Sequence, residues 1–215
     1  MVEGNSKSET VYFGVHGEKN TWKTIELANK RAKQLGINKV VIASETGLSA
    51  VETIKVFDPN EVIVVSSAAG TKVENTVIGD LRIGISNQKI YKELIEKGAK
   101  VIRGTDPFWG LTAHSPILDP GKLGMMFYKV ISNGFHVCIT TVLMATDHGY
   151  LENGEEVIAL AGSWVGLDTA IVARACNTVD FFNKFEVLET ICKPRSPRYT
   201  WPINQVDCLV ASVGL

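Results

Sequence analysis

Residues 39–50, KVVIASETGLSA, decide the fold. Lys39, Val40, Val41, Ile42 and Ala43 are apolar and mostly β-branched, with little alternation, as in a parallel strand covered on both faces. The turn Ser44-Glu45-Thr46-Gly47-Leu48-Ser49 follows, and a helical segment is expected from Ser49 or Ala50 to about Phe57. A small, hydroxyl-rich turn between a parallel strand and a helix gathers free backbone N–H groups and the positive end of a helix dipole at one point. Phosphate is the usual anion at such a point. A purely structural account also fits, with Ser49 as an N-cap and Gly47 as a tight strand–helix turn.

The order of elements around this turn resembles the C-terminal domain of pyruvate kinase. Strand, Ser/Thr-x-Ser/Thr-Gly turn and helix are followed by Asp58-Pro59-Asn60 and the strand at 62–66. In that family the turn holds a phosphate of an allosteric sugar bisphosphate. The chain also resembles stand-alone archaeal and bacterial proteins of the pyruvate kinase alpha/beta-domain type. The likeness runs from about Tyr12 to Arg195 and is strongest over 20–65 and 149–195.

At 215 residues, with 45% hydrophobic residues, the chain has enough apolar material for one α/β domain spanning 1–215. Residues 1–10 read as a loose tail and 196–215 as a C-terminal extension beyond the resemblance. A formal net charge of -1 gives no basic field for nucleic acid or an anionic membrane. The apolar runs are of strand length, well short of the roughly 18 residues of a membrane span. The polar start MVEGNSKSET lacks a signal-peptide core, so the expected location is cytoplasmic. Cys138, Cys176, Cys192 and Cys208 show no C-x-x-C spacing and read as buried, reduced thiols rather than a zinc site.

Along the chain, residues 11–15 suit a short strand. Thr21 opens a helix to about Leu35, with Trp22, Ile25, Ala28, Ala32 and Leu35 on one face and Gly36 as its C′ residue. Asn20 or Thr21 offers the capping side chain; the resemblance also brings this Asn-Thr pair close to the phosphate turn. Residues 62–66 form a third strand ending at Ser66. Residues 70–87 read as a long excursion without regular structure. Residues 89–98 suit a helix with Ile90, Leu94 and Ile95 inward, and Val101-Ile102 a strand. Phe108 and Trp109 stand just past that strand, where they either cover the core edge or stack on a flat ring. Residues 121–134 suit a helix. Residues 135–145 favour strand by propensity, whereas their length and the resemblance favour helix. His136 and His148 have no second ligand-type residue at helical spacing and read as surface or core histidines. Strands are expected at 155–162, 170–175 and 185–193.

A second glycine turn, Gly162-Ser163-Trp164-Val165-Gly166 before Leu167-Asp168-Thr169, resembles the loop that closes over the effector in the same family. Small residues there let backbone N–H groups approach an oxygen closely; a structural hairpin is the alternative. It is not a nucleophile elbow, because the serine is not central, and the chain has no Walker loop and no G-x-G-x-x-G. These 215 residues contain no counterpart of the pyruvate kinase barrel, its metal-binding carboxylates or its active-site lysine. Phosphate transfer between phosphoenolpyruvate and ADP is therefore not expected of them.

The expected architecture is a three-layer α/β/α domain with a mostly parallel sheet, whose ligands bind at the C-terminal ends of the strands. The resemblance implies FMN as the cofactor. Its phosphate would lie at Ser44, Thr46, Gly47 and Ser49, helped by Asn20 and Thr21 and covered by Gly162, Ser163, Gly166, Asp168 and Thr169, with Ser66 as a further cofactor-binding residue. The alternatives are a small flavin-dependent or sugar-phosphate enzyme, and a regulatory subunit that senses a phosphorylated metabolite. A homo-oligomer is expected, from the apolar segment 206–213 and the habit of the resembling domain.

Overall fold

The computed structural model describes residues 7–76, 79–110, 124 and 126–196. The C-terminal extension from 197 onward, with Trp201 and Cys208, lies outside these residues. So do most of the N-terminal tail and of the segment 111–125, with the first part of the helix expected at 121–134; the rest of that stretch is described and forms a π-helical segment, Phe127–Ile131, which ends at Ser132.

Seven strands form the main sheet. They are β1 (Val11–Phe13), β2 (Val40–Ala43), β3 (Val62–Ser67), β6 (Lys100–Gly104), β7 (Glu156–Ala161), β8 (Thr169–Arg174) and β9 (Glu186–Pro194), in the spatial order β1-β9-β8-β7-β2-β3-β6. The pairs β1/β9, β2/β3, β2/β7 and β3/β6 are parallel; β8 runs antiparallel to both neighbours. Strands β2 and β3 are interior strands, buried along nearly their whole length, which explains their unalternating Val/Ile runs.

Helices cover both faces. Ile25, Ala28 and Ala32 of α1 (Thr21–Leu35), Ala50 of α2 (Leu48–Thr53) and Leu94 of α3 (Gln88–Glu96) pack over Val40, Ile42, Val62, Val64, Ile158 and Leu160. On the other face, α5 (Asn133–Asp147), which follows the short α4 (Pro107–Gly110) in the chain, packs over Val41, Ile63, Val65, Ala159 and Ile171. Helix therefore prevails over the β-propensity of residues 135–145. Twelve of the fifteen α5 residues are buried, and that burial outweighs the small propensity differences of β-branched residues.

Several expectations are corrected. The apolar stripe of α1 is narrower than its spacing implies: Trp22 is 55% exposed and Leu35 38%. Neither Asn20 nor Thr21 caps α1 with its side chain. Gly36 does end the helix in the left-handed region, at φ 69°. Helix α2 stops at Thr53, four residues short of Phe57. Ser49 lies inside it, while Gly47, at φ 86°, holds the N-cap position. Ile95 of α3 faces out. The excursion after Gly70 contains an antiparallel pair, β4 (Lys72–Thr76) and β5 (Gly79–Arg82), tied by Lys72 to Glu74 and Asp80.

Cys138, Cys176 and Cys192 are buried free thiols. Burial pushes Cys176 up to about 11 and Cys192 up to about 12, so neither is a thiolate at neutral pH. Among the described residues no helix is long and apolar enough to cross a membrane, and no cluster of metal-ligand side chains forms.

Candidate functional site

The parallel strands end together at one edge of the sheet, and the turns leaving β2 and β7 stand side by side there because these strands are neighbours. After β2, the Ser44 amide donates to the Val65 carbonyl at 2.9 Å, continuing the ladder one residue past the strand. The Ser44 hydroxyl is buried and, among the described residues, has no hydrogen-bond partner. Gly47 allows the chain to pass directly over α3; a Cβ there would lie 2.4 Å from Cγ2 of Ile90. Among the described residues, the amides of Thr46 and Gly47 make no backbone hydrogen bond. The Thr46 hydroxyl meets only the Leu48 amide, at 3.5 Å.

Glu45, between these residues, turns its carboxylate toward the end of β3. It accepts from the hydroxyls of Ser66 (3.0 Å) and Ser67 (2.9 Å), from the Ser67 amide and, at 3.4 Å, from the Gly84 amide. Its own carbonyl accepts from the Ile85 amide at 2.8 Å. The Ser66 hydroxyl, expected to face a ligand, is thus held by a carboxylate of the chain. Sequence spacing gave no sign of this, because the two residues lie on different strands' ends.

The second turn is built around Asp168, which is fully buried. One carboxylate oxygen accepts from the amides of Gly17 (2.8 Å) and Ser163 (3.2 Å), the other from the Thr169 hydroxyl (2.9 Å). The Thr21 hydroxyl accepts from the Leu167 amide at 2.9 Å. Gly162 and Gly166 are required by close approach. A Cβ on Gly162 would meet the Gly166 carbonyl at 2.0 Å, and one on Gly166 would meet Cα of Glu18 and Oγ1 of Thr21 at 2.4 Å. Asn20 donates to the Val15 carbonyl, and His16 Nδ1 lies 3.0 Å from the Ser163 hydroxyl. Asn133, at the start of α5, donates to the Ser163 carbonyl.

The expected site residues therefore fall into two groups. Ser44, Thr46, Gly47 and Ser66 gather with Glu45; Asn20, Thr21, Gly162, Ser163, Gly166, Asp168 and Thr169 gather around the Asp168 carboxylate. Ser49 belongs to the first group by position, although its carbonyl accepts from Thr53 within α2. No hydrogen bond among the described residues joins the two groups.

Two further features share this edge. Arg103, at the end of β6, stacks its guanidinium 3.8 Å over the Tyr91 ring, and its buried Nε has no partner. The signal for it in the sequence was weak, an arginine directly after the apolar pair Val101-Ile102. On the opposite face of the sheet, buried His136 sets Nε2 3.0 Å from Asp106 and leaves Nδ1 without a partner. Phe108 is buried against His136, Phe127 and Phe181, as expected of a residue covering the core edge; the Trp109 side chain lies outside the described set. A depression of about 640 Å³ lined by Lys39, Tyr150, Leu151 and Glu152 lies at the other edge of the sheet and shares no residue with these groups.

The family model described as "Pyruvate kinase, alpha/beta domain" matches residues 23–173. That span takes in both turns, Arg103 and His136, and stops short of Asn20 and Thr21.

Proposed function

The chain belongs to the pyruvate kinase alpha/beta-domain family, and from that premise we propose that it binds a phosphorylated small molecule, FMN first among the candidates, at the C-terminal edge of its sheet. The observation that carries this reading is the Ser44 hydroxyl. It is buried, aligned with the end of a central parallel strand, and without a partner. A buried polar atom left unpaired costs about 1–3 kcal/mol, which a ligand oxygen at this place offsets.

The donor set suits a phosphate. Hydroxyls of Ser44 and Thr46 and the amides around Gly47 converge on the turn after β2, and small neutral donors of this kind are what a phosphate seat uses. The exposed apolar side chains of Trp22, Leu48 and Val165 adjoin Thr21, Gly47 and Gly166. They give a flat ring apolar surface next to the two turns. FMN, when bound, supplies a redox-active ring. The chain's own residues hold the phosphate, orient the ring and keep the second turn rigid through Asp168.

The double variant Ser44→Ala/Thr46→Ala tests this. It removes two hydroxyl donors without altering Gly47. Hydrogen bonds to a charged acceptor contribute roughly 1.5–3 kcal/mol each, so FMN affinity measured by fluorescence quenching should fall by about 10² to 10⁴. Unchanged affinity for FMN and sugar phosphates in the folded variant, or no binding of either by the wild type, removes the assignment.

A second reading, an enzyme acting on the bound ligand, is favoured by one observation: the His136–Asp106 pair, whose carboxylate orients an imidazole with a free buried nitrogen. Oxidation of NAD(P)H by the flavin-loaded protein, lost in His136→Gln, would support it over simple binding.

A further inference from the structure

We infer that Arg103 is the cationic clamp of this site, engaging the ligand's oxyanion side-on through Nε and an adjacent Nη. The inference rests on the reading that the ligand carries a phosphate. It adds one cationic donor to the neutral hydroxyls and amides of the turn after β2.

Ala43 pairs with Val65, and the Ser44 amide extends that ladder to the Val65 carbonyl, so Ser44 stands beside Ser66. Ser66 in turn pairs with Arg103. Alternation places all three on the face where Ile42, Val64 and Val101 pack under α1, α2 and α3. A serine, a serine and an arginine thus form one row across three adjacent parallel strands. With strands about 4.8 Å apart, the row spans roughly 10 Å, a distance that an arginine side chain readily shortens.

Two of the three members hold polar atoms that are buried and unpartnered, Ser44 Oγ and Arg103 Nε. The third is occupied by Glu45, which takes its donors from Ser66, Ser67 and Gly84. Among the described residues the Arg103 side chain forms neither an ion pair nor a hydrogen bond. A guanidinium stays charged at any physiological pH, so an unmatched one at a strand edge is a charge awaiting an anion. Stacking on Tyr91 fixes the plane of the guanidinium. Its Nε edge then presents a rigid two-pronged donor, the geometry that matches phosphate and carboxylate.

Binding of FMN, inorganic phosphate and riboflavin to the full chain, each measured by calorimetry, separates the possibilities. In Arg103→Gln, FMN and phosphate should bind roughly 10- to 100-fold more weakly, while riboflavin, which lacks the phosphate, binds as it does to the wild type. Arg103→Lys, which keeps the charge and loses the fork, should recover only part of the affinity. If Arg103→Gln binds FMN and phosphate as tightly as the wild type while Ser44→Ala/Thr46→Ala does not, the clamp is refuted and the phosphate turn stands. If Arg103→Gln loses phosphate binding while the double serine–threonine variant keeps it, the clamp stands and the turn assignment falls. Equal weakening of riboflavin in Arg103→Gln also refutes the clamp, because the effect would then not be on the anion.

Discussion

The two glycine turns at the C-terminal edge have nearly the same vocabulary of Ser, Thr and Gly, and they put it to opposite use. In the turn 162–169 the polar groups are spent inside the protein: Asp168 binds the amides of Gly17 and Ser163 and the Thr169 hydroxyl, and Thr21 binds the Leu167 amide. In the turn 44–49 the Ser44 hydroxyl is left without a partner, and the only carboxylate present, Glu45, bonds outward to β3 and the segment at Gly84. The first is a closed clasp between loops far apart in sequence. The second is an open seat. A hydroxyl- and glycine-rich turn at a strand end is therefore a candidate ligand seat only where the chain itself has left its donors unused.

The sharpest way to break the comparison is to remove the carboxylate of the clasp. Asp168→Ala strands two amides and a hydroxyl in the interior, each costing about 1–3 kcal/mol when unpaired. The expected loss is about 3–5 kcal/mol, since part of the deficit relaxes into water. For a domain of this size that is a fall in melting temperature of roughly 6–20 °C, read by circular dichroism. A loss below 1 kcal/mol would mean that the turn is not held by Asp168.

How much of this was legible in the sequence follows from where the partners lie. The β2 turn could be read directly, because strand, turn and helix are contiguous from Val40 to Thr53. Helix α1 likewise carries its own periodicity and its terminal glycine. The role of Asp168 was hidden because its amide partner Gly17 is 151 residues away, and that of Glu45 because Ser66 is 21 residues away on another strand. Arg103 joins the proposed site only through the β3–β6 register. Helix α2 looked longer because Val51, Ile54 and Phe57 keep a helical spacing. The chain instead turns at Ile54 and packs Ile54 and Phe57 into the core from a non-helical segment. The β4/β5 pair escaped notice because charged residues such as Lys72, Glu74 and Asp80 interrupt its apolar pattern.

A smaller effect is expected from Gly166→Ala, which tests whether the clasp depends on close packing as well as on hydrogen bonds. Gly166 has φ 76° and faces backbone, with Cα of Glu18 2.4 Å from where a Cβ would stand. Left-handed backbone costs an L-residue about 1–2 kcal/mol, and overpacking against backbone adds about 1–3. We expect a loss of about 2–4 kcal/mol by chemical denaturation, with the Gly17–Glu18 segment displaced. A change within 0.5 kcal/mol would show that the two loops are loosely apposed.

The smallest effect sharpens the comparison most, because its sign differs. Ser44→Ala removes a hydroxyl that is buried and bonded to nothing. The wild-type hydroxyl has given up its bonds to water without replacement, so its deletion relieves a desolvation cost rather than breaking a bond. The methyl group that remains keeps the buried position of the β-carbon. Stability of the ligand-free protein should stay level or rise by up to about 1 kcal/mol, whereas every change in the clasp lowers it. In the presence of saturating FMN the order reverses, because the wild type gains the ligand's binding energy and the variant gains less of it. Melting curves with and without FMN read both quantities. A destabilised ligand-free Ser44→Ala would mean that the hydroxyl already has a partner in solution, and the distinction between an open seat and a closed clasp would disappear.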